Sequence, residues 1–402
     1  MKRRRVKITG LGPVTPAGIG KRDFERGIME DVSRIRAFTK LEEDLGPFVA
    51  AYIDRFRIED YVQRDSVPKG AARHTLFAIA GAVLALQDAG LAVDELNRSN
   101  SVVVSGACVM DFDGIVRTVE GVVTKGIRGA LPRTVYTTNA ACIPASVAQV
   151  LGLEARSMTV QSSCCTGTDA IGHAMRLIET GEADIAICGG TDAPLYRCPL
   201  VELRAIGMTP ATVENAKGIN RPFDLWRTTG VVSEGASMFV LEAESSPREG
   251  YCFLTGYGYG NDPIDKLCGG MTTAMKFALA DSGNRPENVD AISAWGPGHR
   301  LIDPAEAAML KEVFGTKLAA IPAVSIKGAI GNPLGAAGAI QVAAAAISLR
   351  GGVIPPTVNW KYPDPDCPLN LSSQARHLSH DVTLINAHGL SGVNASLVMQ
   401  KC

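Results

Sequence analysis

Residues 157–190 read SMTVQSSCCTGTDAIGHAMRLIETGEADIAICGG, a pattern of strand, sharp turn, helix and second strand. The short apolar run Met158–Gln161 has the length of a strand, and apolar residues recur at helical spacing over Gly167–Thr180. A second short run, Ile185–Gly189, follows directly and ends at glycine. This alternation of strand and helix favours an α/β fold with largely parallel or mixed sheets.

The same alternation continues on both sides of this stretch. Further runs of strand length are Val102–Ser105, Met238–Leu241, Ala291–Trp295, Ala323–Ile326, Val382–Ile385 and Ala395–Met399, and further helical patterns are Ala71–Ala89, Pro304–Phe314 and Gly335–Leu349. We therefore expect sheets covered by helices on both faces. Strand–turn–helix units occur in two halves, residues 1–250 and 251–402, with a plausible joint within Glu244–Gly260.

The composition excludes several classes of protein. The chain has 402 residues, of which 46% are hydrophobic and only 5% aromatic, so it can bury a large core and is not disordered. Forty Lys and Arg residues against 41 Asp and Glu leave a net charge of −1. Nothing in this balance indicates nucleic acid or an anionic membrane surface as a partner.

Localisation is also predicted from composition. The longest apolar stretches fall short of the roughly 18–20 residues that span a bilayer, and we expect them to be buried helices. The basic start MKRRR leads straight into a strand-like segment without the apolar region of a signal peptide. Ten cysteines occur without a CxxC pair, which is typical of reduced thiols. The sequence predicts a cytoplasmic protein without a membrane segment.

Cys164 and Cys165 lie at the sharp turn before the helix. A cysteine at a helix N-terminus meets the positive end of the helix dipole and free backbone N–H groups, which lower the pKa of its thiol. The same N–H groups can bind an oxyanion. Reactive thiol and small buried residue are both compatible with this local pattern.

Five stretches, in order along the chain, resemble motifs of the β-ketoacyl-ACP synthases, condensing enzymes of the thiolase superfamily. They are ITGLGPVTPAG at 8–18, the cysteine turn, RPFD at 221–224 with EGA at 234–236, SIKGAIGNPLGAAG at 325–338 and NAHGLSGVN at 386–394. The resemblance implies a five-layered αβαβα body of two fused βαβαβαββ-type halves, and a dimer. It places the family's acyl-accepting nucleophile on Cys164 and a small packing position on Cys165.

The chain departs from the family at both catalytic histidines. The resemblance implies a Cys-His-His triad, but Trp295 stands at the first histidine position and Asn332 at the second. An asparagine amide can still donate a hydrogen bond to a thioester oxygen, whereas an indole has one N–H and cannot shuttle a proton near neutral pH. We therefore expect a degenerate Cys-Trp-Asn site without ordinary decarboxylative condensation.

Other site residues follow from the same resemblance. Lys327 belongs to an otherwise intact block and is expected to be functional or to organise the site, although Gln341 replaces the acid that usually accompanies it. The N–H groups of Leu390 and Cys164 would form the oxyanion hole, in a gating loop that also carries His388.

The pantetheine contacts are altered as well. The family's two pantetheine-binding threonines fall on Pro297 and His299, so contacts at these positions remain possible but unconventional. His299 or His388 could have taken over acid–base chemistry; each could equally be a loop histidine bonded to backbone.

Three functions are compatible with these residues. The first is a chain-length-factor-like partner of an active ketosynthase, which the missing histidines support and the retained Cys164 weakens. The second is an acyltransferase that loads Cys164 from acyl carrier protein or acyl-CoA and passes the acyl group on without decarboxylation. The third is a condensing enzyme with relocated acid–base groups. All imply a homodimer or a heterodimer with a ketosynthase, with no cofactor and no metal.

Overall fold

The computed structural model describes residues 3–41 and 45–402. The strands are β1 (Val6–Thr15), β2 (Gly18–Ile19), β3 (Ile35–Phe38), β4 (Phe48–Ala51), β5 (Ser101–Gly106), β6 (Arg156–Thr159), β7 (Ile185–Asp192), β8 (Gly235–Ala243), β9 (Cys252–Asn261), β10 (Ala291–Ser293), β11 (Ala323–Val324), β12 (Val353–Ile354), β13 (Arg376–His377), β14 (Val382–His388) and β15 (Val393–Lys401). The α-helices are α1 (Lys21–Met29), α2 (Arg73–Ala89), α3 (Val93–Arg98), α4 (Phe112–Lys125), α5 (Thr134–Thr137), α6 (Cys142–Leu151), α7 (Thr166–Thr180), α8 (Arg197–Ala205), α9 (Gly269–Ser282), α10 (Ile302–Phe314), α11 (Lys327–Ile330) and α12 (Ala337–Gly351).

The main sheet repeats one arrangement of strands in two halves. Its order is β11-β10-β14-β15-β9-β1-β8-β7-β5-β6, with β2 paired to β1. In each half three neighbouring strands are parallel, β6-β5-β7 and β11-β10-β14, and the next two are antiparallel. The two halves therefore share one topology, as the thiolase-like resemblance implies.

The joint expected within Glu244–Gly260 contains a strand that belongs to the centre of the sheet. β9 pairs with β15 over most of its length and also with β1, where Val6 faces Leu254 and Ile8 faces Cys252. The two halves are thus hydrogen-bonded through β1 and β9. The division near residue 250 stays a prediction.

Five layers surround this arrangement. α7 and α12 contact each other and strands of both halves, so they form the central layer. α2 and α6 cover the outer face of the first half, and α9 and α10 cover the second. The fold is the mixed α/β, thiolase-like fold expected from the sequence.

The central helix α12 explains the longest apolar stretch. With the preceding turn it forms an 18-residue segment, Leu334–Gly351, that is long and apolar enough to cross a membrane. In the folded chain 89% of this segment is buried, between strands of both halves. A helix packed on all sides loses its polar face, which is the behaviour of a core helix.

Two predicted strands end earlier than expected. β10 stops at Ser293 and β11 at Val324, so Trp295 and Lys327 lie beyond the strand ends. Gly296 and Gly298 have φ of 35° and 84°, a left-handed conformation in which glycine is favoured. The chain therefore leaves the sheet at the point where the predicted site residues begin.

Candidate active site

The predicted site residues come together at the carboxyl ends of six parallel strands, three from each half. In the first half, Cys164 follows β6, and Asp192 ends β7. In the second half, Trp295 follows β10, and Lys327 and Asn332 follow β11. Carboxyl ends of neighbouring parallel strands meet at one edge of a sheet, where α/β proteins commonly place their sites.

The residues around Cys164 form a sharp turn between β6 and α7. Ser163 has φ of 53°, which is unusual for a residue with a side chain and marks a constrained turn. The buried carboxyl of Asp169 accepts hydrogen bonds from the Ser162 hydroxyl and, at 2.7 Å, from Tyr257 of β9. The turn is therefore held by a residue from the other half of the chain.

Cys164 is buried and surrounded by hydrogen-bonding groups. The thiol of Cys108 lowers the pKa of Cys164, as do the Ser163 side chain and the backbone N–H of Leu390. Burial and the carboxylate of Asp192 act in the opposite direction. The net pKa is below that of a free thiol, so Cys164 has the properties of a nucleophile.

Leu390 N–H is thus within hydrogen-bonding reach of the Cys164 thiol, while the oxyanion hole formed by the N–H groups of Leu390 and Cys164 stays a prediction. Cys165 differs sharply from its neighbour. Its Sγ lies 3.4 Å from the Val393 carbonyl, and burial raises the pKa of its thiol well above the ordinary value. This thiol packs and stays protonated.

The indole of Trp295 is fully buried, and the backbone N–H and carbonyl of this residue are both hydrogen-bonded. Its backbone N–H donates to Glu306 Oε1 at 2.8 Å, and its carbonyl accepts from Lys327 Nζ at 2.5 Å. The same Nζ lies 3.9 Å from the centre of the Trp295 ring, a cation–π distance. The residue at the first histidine position therefore packs directly on the site lysine.

Lys327 is buried with few groups to stabilise its charge. Its Nζ also donates to Gln341 Oε1 at 3.0 Å. Burial lowers the pKa of Lys327 to about 7, although the carboxyls of Glu306 and Asp303 partly oppose this. Because Gln341 is neutral, no carboxylate is hydrogen-bonded to the amine at this position.

Asn332 is buried in the loop before α12. Its backbone is fixed by hydrogen bonds to Val231 and Ser233 of the first half, at 2.7 Å and 3.0 Å. Its buried Oδ1 has no hydrogen-bond partner in residues 3–41 and 45–402. This oxygen is a hydrogen-bond acceptor, so donation from the Asn332 amide to a thioester oxygen stays a prediction.

The two candidate histidines have different surroundings. His299 accepts the Leu301 N–H on Nδ1 at 3.2 Å and lies in the loop before α10. His388 contacts Asn394 Oδ1 through Nδ1 at 3.0 Å, while its buried Nε2 has no partner among the residues described. Burial lowers the pKa of both histidines, and Pro297 packs beside Gly230.

Sequence reasoning missed Cys108 and Asp192. Asp192 accepts the backbone N–H groups of Cys108, Val109 and Gly335, and burial raises its pKa to about 7. The sequence offered one clue to Cys108, which is that it comes just after the predicted strand β5. The structure shows that β5 is the parallel neighbour of β6.

Comparisons with known proteins agree over the whole chain. Family models described as "Beta-ketoacyl synthase, N-terminal domain" and "Beta-ketoacyl synthase, C-terminal domain" match residues 3–246 and 252–361. A "Putative polyketide beta-ketoacyl synthase 1" of Streptomyces virginiae is 33% identical over 99% of this chain and 98% of its own length. A "3-oxoacyl-[acyl-carrier-protein] synthase 2" of Coxiella burnetii is 30% identical over 100% of this chain and 99% of its own.

Solved structures agree with these relatives. "The ishigamide ketosynthase/chain length factor" superimposes with a TM-score of 0.92 at 28% identity, and both chains are fully covered. A chain of the complex "AntDE:AntF (apo): type II PKS acyl-carrier protein in complex with its ketosynthase bound to the hexaketide" superimposes with a TM-score of 0.91 at 26% identity, again over both full chains.

Proposed function

Because the chain belongs to the beta-ketoacyl synthase family of fatty acid and polyketide synthesis, we propose that it is a chain-length-factor-like partner of an active ketosynthase. In this role it does not itself catalyse decarboxylative condensation. The observation that carries the proposal is the buried Trp295 packed against Lys327 at the first histidine position.

The chemistry of the indole supports this conclusion. Decarboxylation of a malonyl thioester needs hydrogen-bond donors for the developing enolate oxygen, and loss of one such donor elsewhere costs roughly 10²–10³ in rate. The Trp295 peptide unit and ring are already engaged with Glu306 and Lys327. The unpartnered Oδ1 of Asn332 is an acceptor and does not supply such a donor.

One face of the first half has the character of a docking surface for a partner ketosynthase. β6 lies at the edge of the main sheet, with three of its four residues exposed. Val123, Ile127 and Tyr136, in the segment between β5 and α6, have exposed fractions of 79%, 90% and 74%. A free strand edge and large exposed apolar side chains are both features that proteins normally cover. The similar ishigamide structure is that of a ketosynthase/chain length factor, which supports the same arrangement here.

A second candidate function is acyl transfer through Cys164 without decarboxylation. The specific observation in its favour is the Leu390 N–H beside a thiol whose pKa is lowered. Formation and transfer of a thioester need only a thiolate and an oxyanion hole. We propose acyl carrier protein as the donor in either case; acyl-CoA, contacts at Pro297 and His299, and a cytoplasmic location stay predictions.

The test is reconstitution with malonyl- and acyl-loaded carrier protein and an active ketosynthase from the same genome. We expect the chain alone to release no CO2 from malonyl carrier protein, and the pair to form product. Cys164→Ala should leave product formation by the pair intact if the chain is a partner. The same substitution should abolish turnover if the chain transfers acyl groups itself.

Each outcome separates one function from the others. Measurable decarboxylation by the unmodified chain alone contradicts the proposal and supports relocated acid–base groups, with His388 as the first residue to substitute. Intact mass after incubation with acyl donors reports whether Cys164 is acylated, with Cys164→Ala as the control. Trp295→His tests whether the indole alone prevents decarboxylation.

A further inference from the structure

His388 has one ring nitrogen without a partner and one that is hydrogen-bonded. The side chain is 2% exposed, and its Nε2 has no hydrogen-bond partner within the part of the chain that the structure describes. The other nitrogen, Nδ1, lies 3.0 Å from Asn394 Oδ1. A buried polar atom without a partner is costly in a folded protein. An unpaired nitrogen beside a candidate site therefore indicates a group that binds there.

The position of His388 in β14 places it beside the loop that follows β10. Asn386 and His388 are two residues apart in this strand, so they project from the same face of the sheet. Asn386 Nδ2 lies 3.5 Å from Glu306 Oε1, and the Glu306 carboxylate accepts the backbone N–H groups of Trp295 and Gly296. His388 is therefore one pleat beyond the contact that anchors this loop.

The next residue along the chain, Gly389, reaches the cysteine turn. Its N–H donates to the Val393 carbonyl at 2.8 Å, and the same carbonyl lies 3.4 Å from Cys165 Sγ. A Cβ added at Gly389 would lie 2.9 Å from Ser163 Cβ. The hairpin between β14 and β15 thus contacts the residues on both sides of Cys164.

The neighbours of Asn394 decide which nitrogen of His388 carries the proton. Asn394 Nδ2 donates to Asp262 Oδ1 at 2.7 Å, so Asn394 Oδ1 is the atom that faces His388. Because an amide oxygen only accepts hydrogen bonds, Nδ1 of the imidazole is the donor, and Nε2 of the neutral ring is a bare acceptor. Burial lowers the pKa of His388, although Asn394 and the charge of Asp262 oppose this, so the neutral ring is favoured at neutral pH.

We propose that His388 is a binding residue whose Nε2 accepts a hydrogen bond from an amide N–H of a pantetheine arm. The proposal rests on the carrier-protein donor proposed above, because the arm that carries the acyl thioester contains amide N–H groups. It assigns to the ligand the donor that the folded chain does not supply to this nitrogen.

The loop beside His388 has lost polar groups that could bind the same arm. Pro297 stands at one of the family's two threonine positions and has no polar side-chain atom. His299 stands at the other, and its Nδ1 already accepts the Leu301 N–H. An acceptor on the neighbouring strand compensates for this loss.

The same geometry argues against His388 as a substitute for a lost catalytic histidine. A developing enolate or thioester oxyanion is stabilised by hydrogen-bond donors. An unprotonated Nε2 is an acceptor and does not stabilise such an oxygen. His388 therefore fits the binding of an N–H group and not the decarboxylation of a malonyl thioester.

The test uses the purified protein and pantetheine itself as the probe. Nitrogen NMR of protein labelled at histidine reports which ring nitrogen carries the proton, and the spectrum of His388→Phe identifies the His388 signals. Calorimetric titration measures the affinity for pantetheine in the parent, in His388→Phe and in His388→Gln. His377→Phe, at an exposed position, is the matched control. Thermal melting reports whether each variant is folded.

We expect Nε2 of His388 to be unprotonated at pH 7 and its resonance to move when pantetheine is added. His388→Phe keeps an aromatic ring without a nitrogen and should bind pantetheine about 10-fold more weakly, as expected for the loss of one buried hydrogen bond. His388→Gln retains a side-chain acceptor and should restore part of the affinity. His377→Phe should match the parent.

A proton on Nε2 of His388 at pH 7 would overturn the proposal, as would equal affinities of the parent and a folded His388→Phe variant. If that variant does not fold, the parent spectrum still decides, because an Nε2 resonance that stays in place, or absence of pantetheine binding, contradicts the proposal. No ketosynthase, malonyl donor or turnover takes part, so failure here is distinct from failure of the proposed function.

Discussion

Trp295 and Lys327 show how one substitution changes the chemistry of its neighbours. The lysine amine is buried against the indole ring, 3.9 Å from its centre, and its other side-chain partner is the neutral Gln341. A buried ammonium without a hydrogen-bonded carboxylate is costly, and the pKa of Lys327 falls to about 7. The amine is therefore partly neutral at physiological pH.

This arrangement predicts a pH-dependent stability. Between pH 7 and 10.5 the unfolded chain keeps the Lys327 proton that the folded chain has released. The unfolded state thus binds more protons, and stability rises with pH across that window. Gln341→Glu places a carboxylate on the amine, keeps it protonated and removes this rise.

The measurement is the melting temperature from pH 7 to pH 9 in the parent and in Gln341→Glu, with Gln63→Glu at an exposed position as control. The comparison between variants removes the contribution of groups that titrate equally in all three. Parallel curves for the parent and Gln341→Glu would contradict the prediction.

The buried His74 predicts a change of stability at acidic pH. It is buried on α2, and burial lowers its pKa from 6.5 to about 4. Between pH 4 and 6.5 the unfolded chain binds the proton and the folded chain does not, so stability rises with pH by up to about 3 kcal/mol. His74→Phe should flatten this rise in urea unfolding at pH 5 and pH 6.5. His377→Phe, at an exposed position, should not, and equal slopes in both variants would contradict the assignment.

At the scale of elements, the site depends on the close approach of α7 and α12. α7 begins directly after the two cysteines, and α12 begins after the loop that carries Asn332. A Cβ added at Gly338 of α12 would lie 1.9 Å from Thr168 Oγ1 of α7. Small residues on α12 therefore set the distance between the two loops.

Gly338→Ala should force the helices apart and destabilise the chain by about 1–3 kcal/mol, as expected for overpacking. Gly351→Ala on the same helix is the control, because nothing lies within 4 Å of the added Cβ and alanine favours helix. Melting temperature should fall for the first variant and stay equal or rise for the second. An unchanged melting temperature for Gly338→Ala would contradict this prediction and show that the contact between α7 and α12 can relax.

At the scale of the whole molecule, the exposed apolar residues between β5 and α6 predict association. Val123→Asp and Ile127→Asp place charges on strongly exposed apolar positions of this surface. A charge buried in an interface without a partner costs about 2 kcal/mol or more, roughly 30-fold in affinity. We expect both variants to lose pairing with a second chain.

Native mass and sedimentation, with and without an active ketosynthase, measure this pairing. Ile264→Asp is the control, because Ile264 is fully exposed in the loop between β9 and α9. A parent chain that stays monomeric in both conditions, or variants that pair as well as the parent, would contradict the docking surface.

Local patterns were sufficient for much of the fold and for part of the site. Runs of apolar residues predicted eight strands of the main sheet and the helices α2, α7, α10 and α12, and the motif at Cys164 predicted the turn that carries it. The losses at Trp295 and Asn332 were also visible in the sequence, because they fall inside blocks whose neighbours are intact.

Tertiary structure alone brought Cys108 to Cys164, Lys327 to the Trp295 ring and Gly335 to Asp192. These residues are far apart in the chain and meet because parallel strands end at one edge of the sheet. Hydrophobic periodicity specifies which face of an element is buried, but not which strand becomes its neighbour. Hydrogen bonding between strands decides that, and with it which groups surround the buried Cys164 sulfur and Lys327 amine.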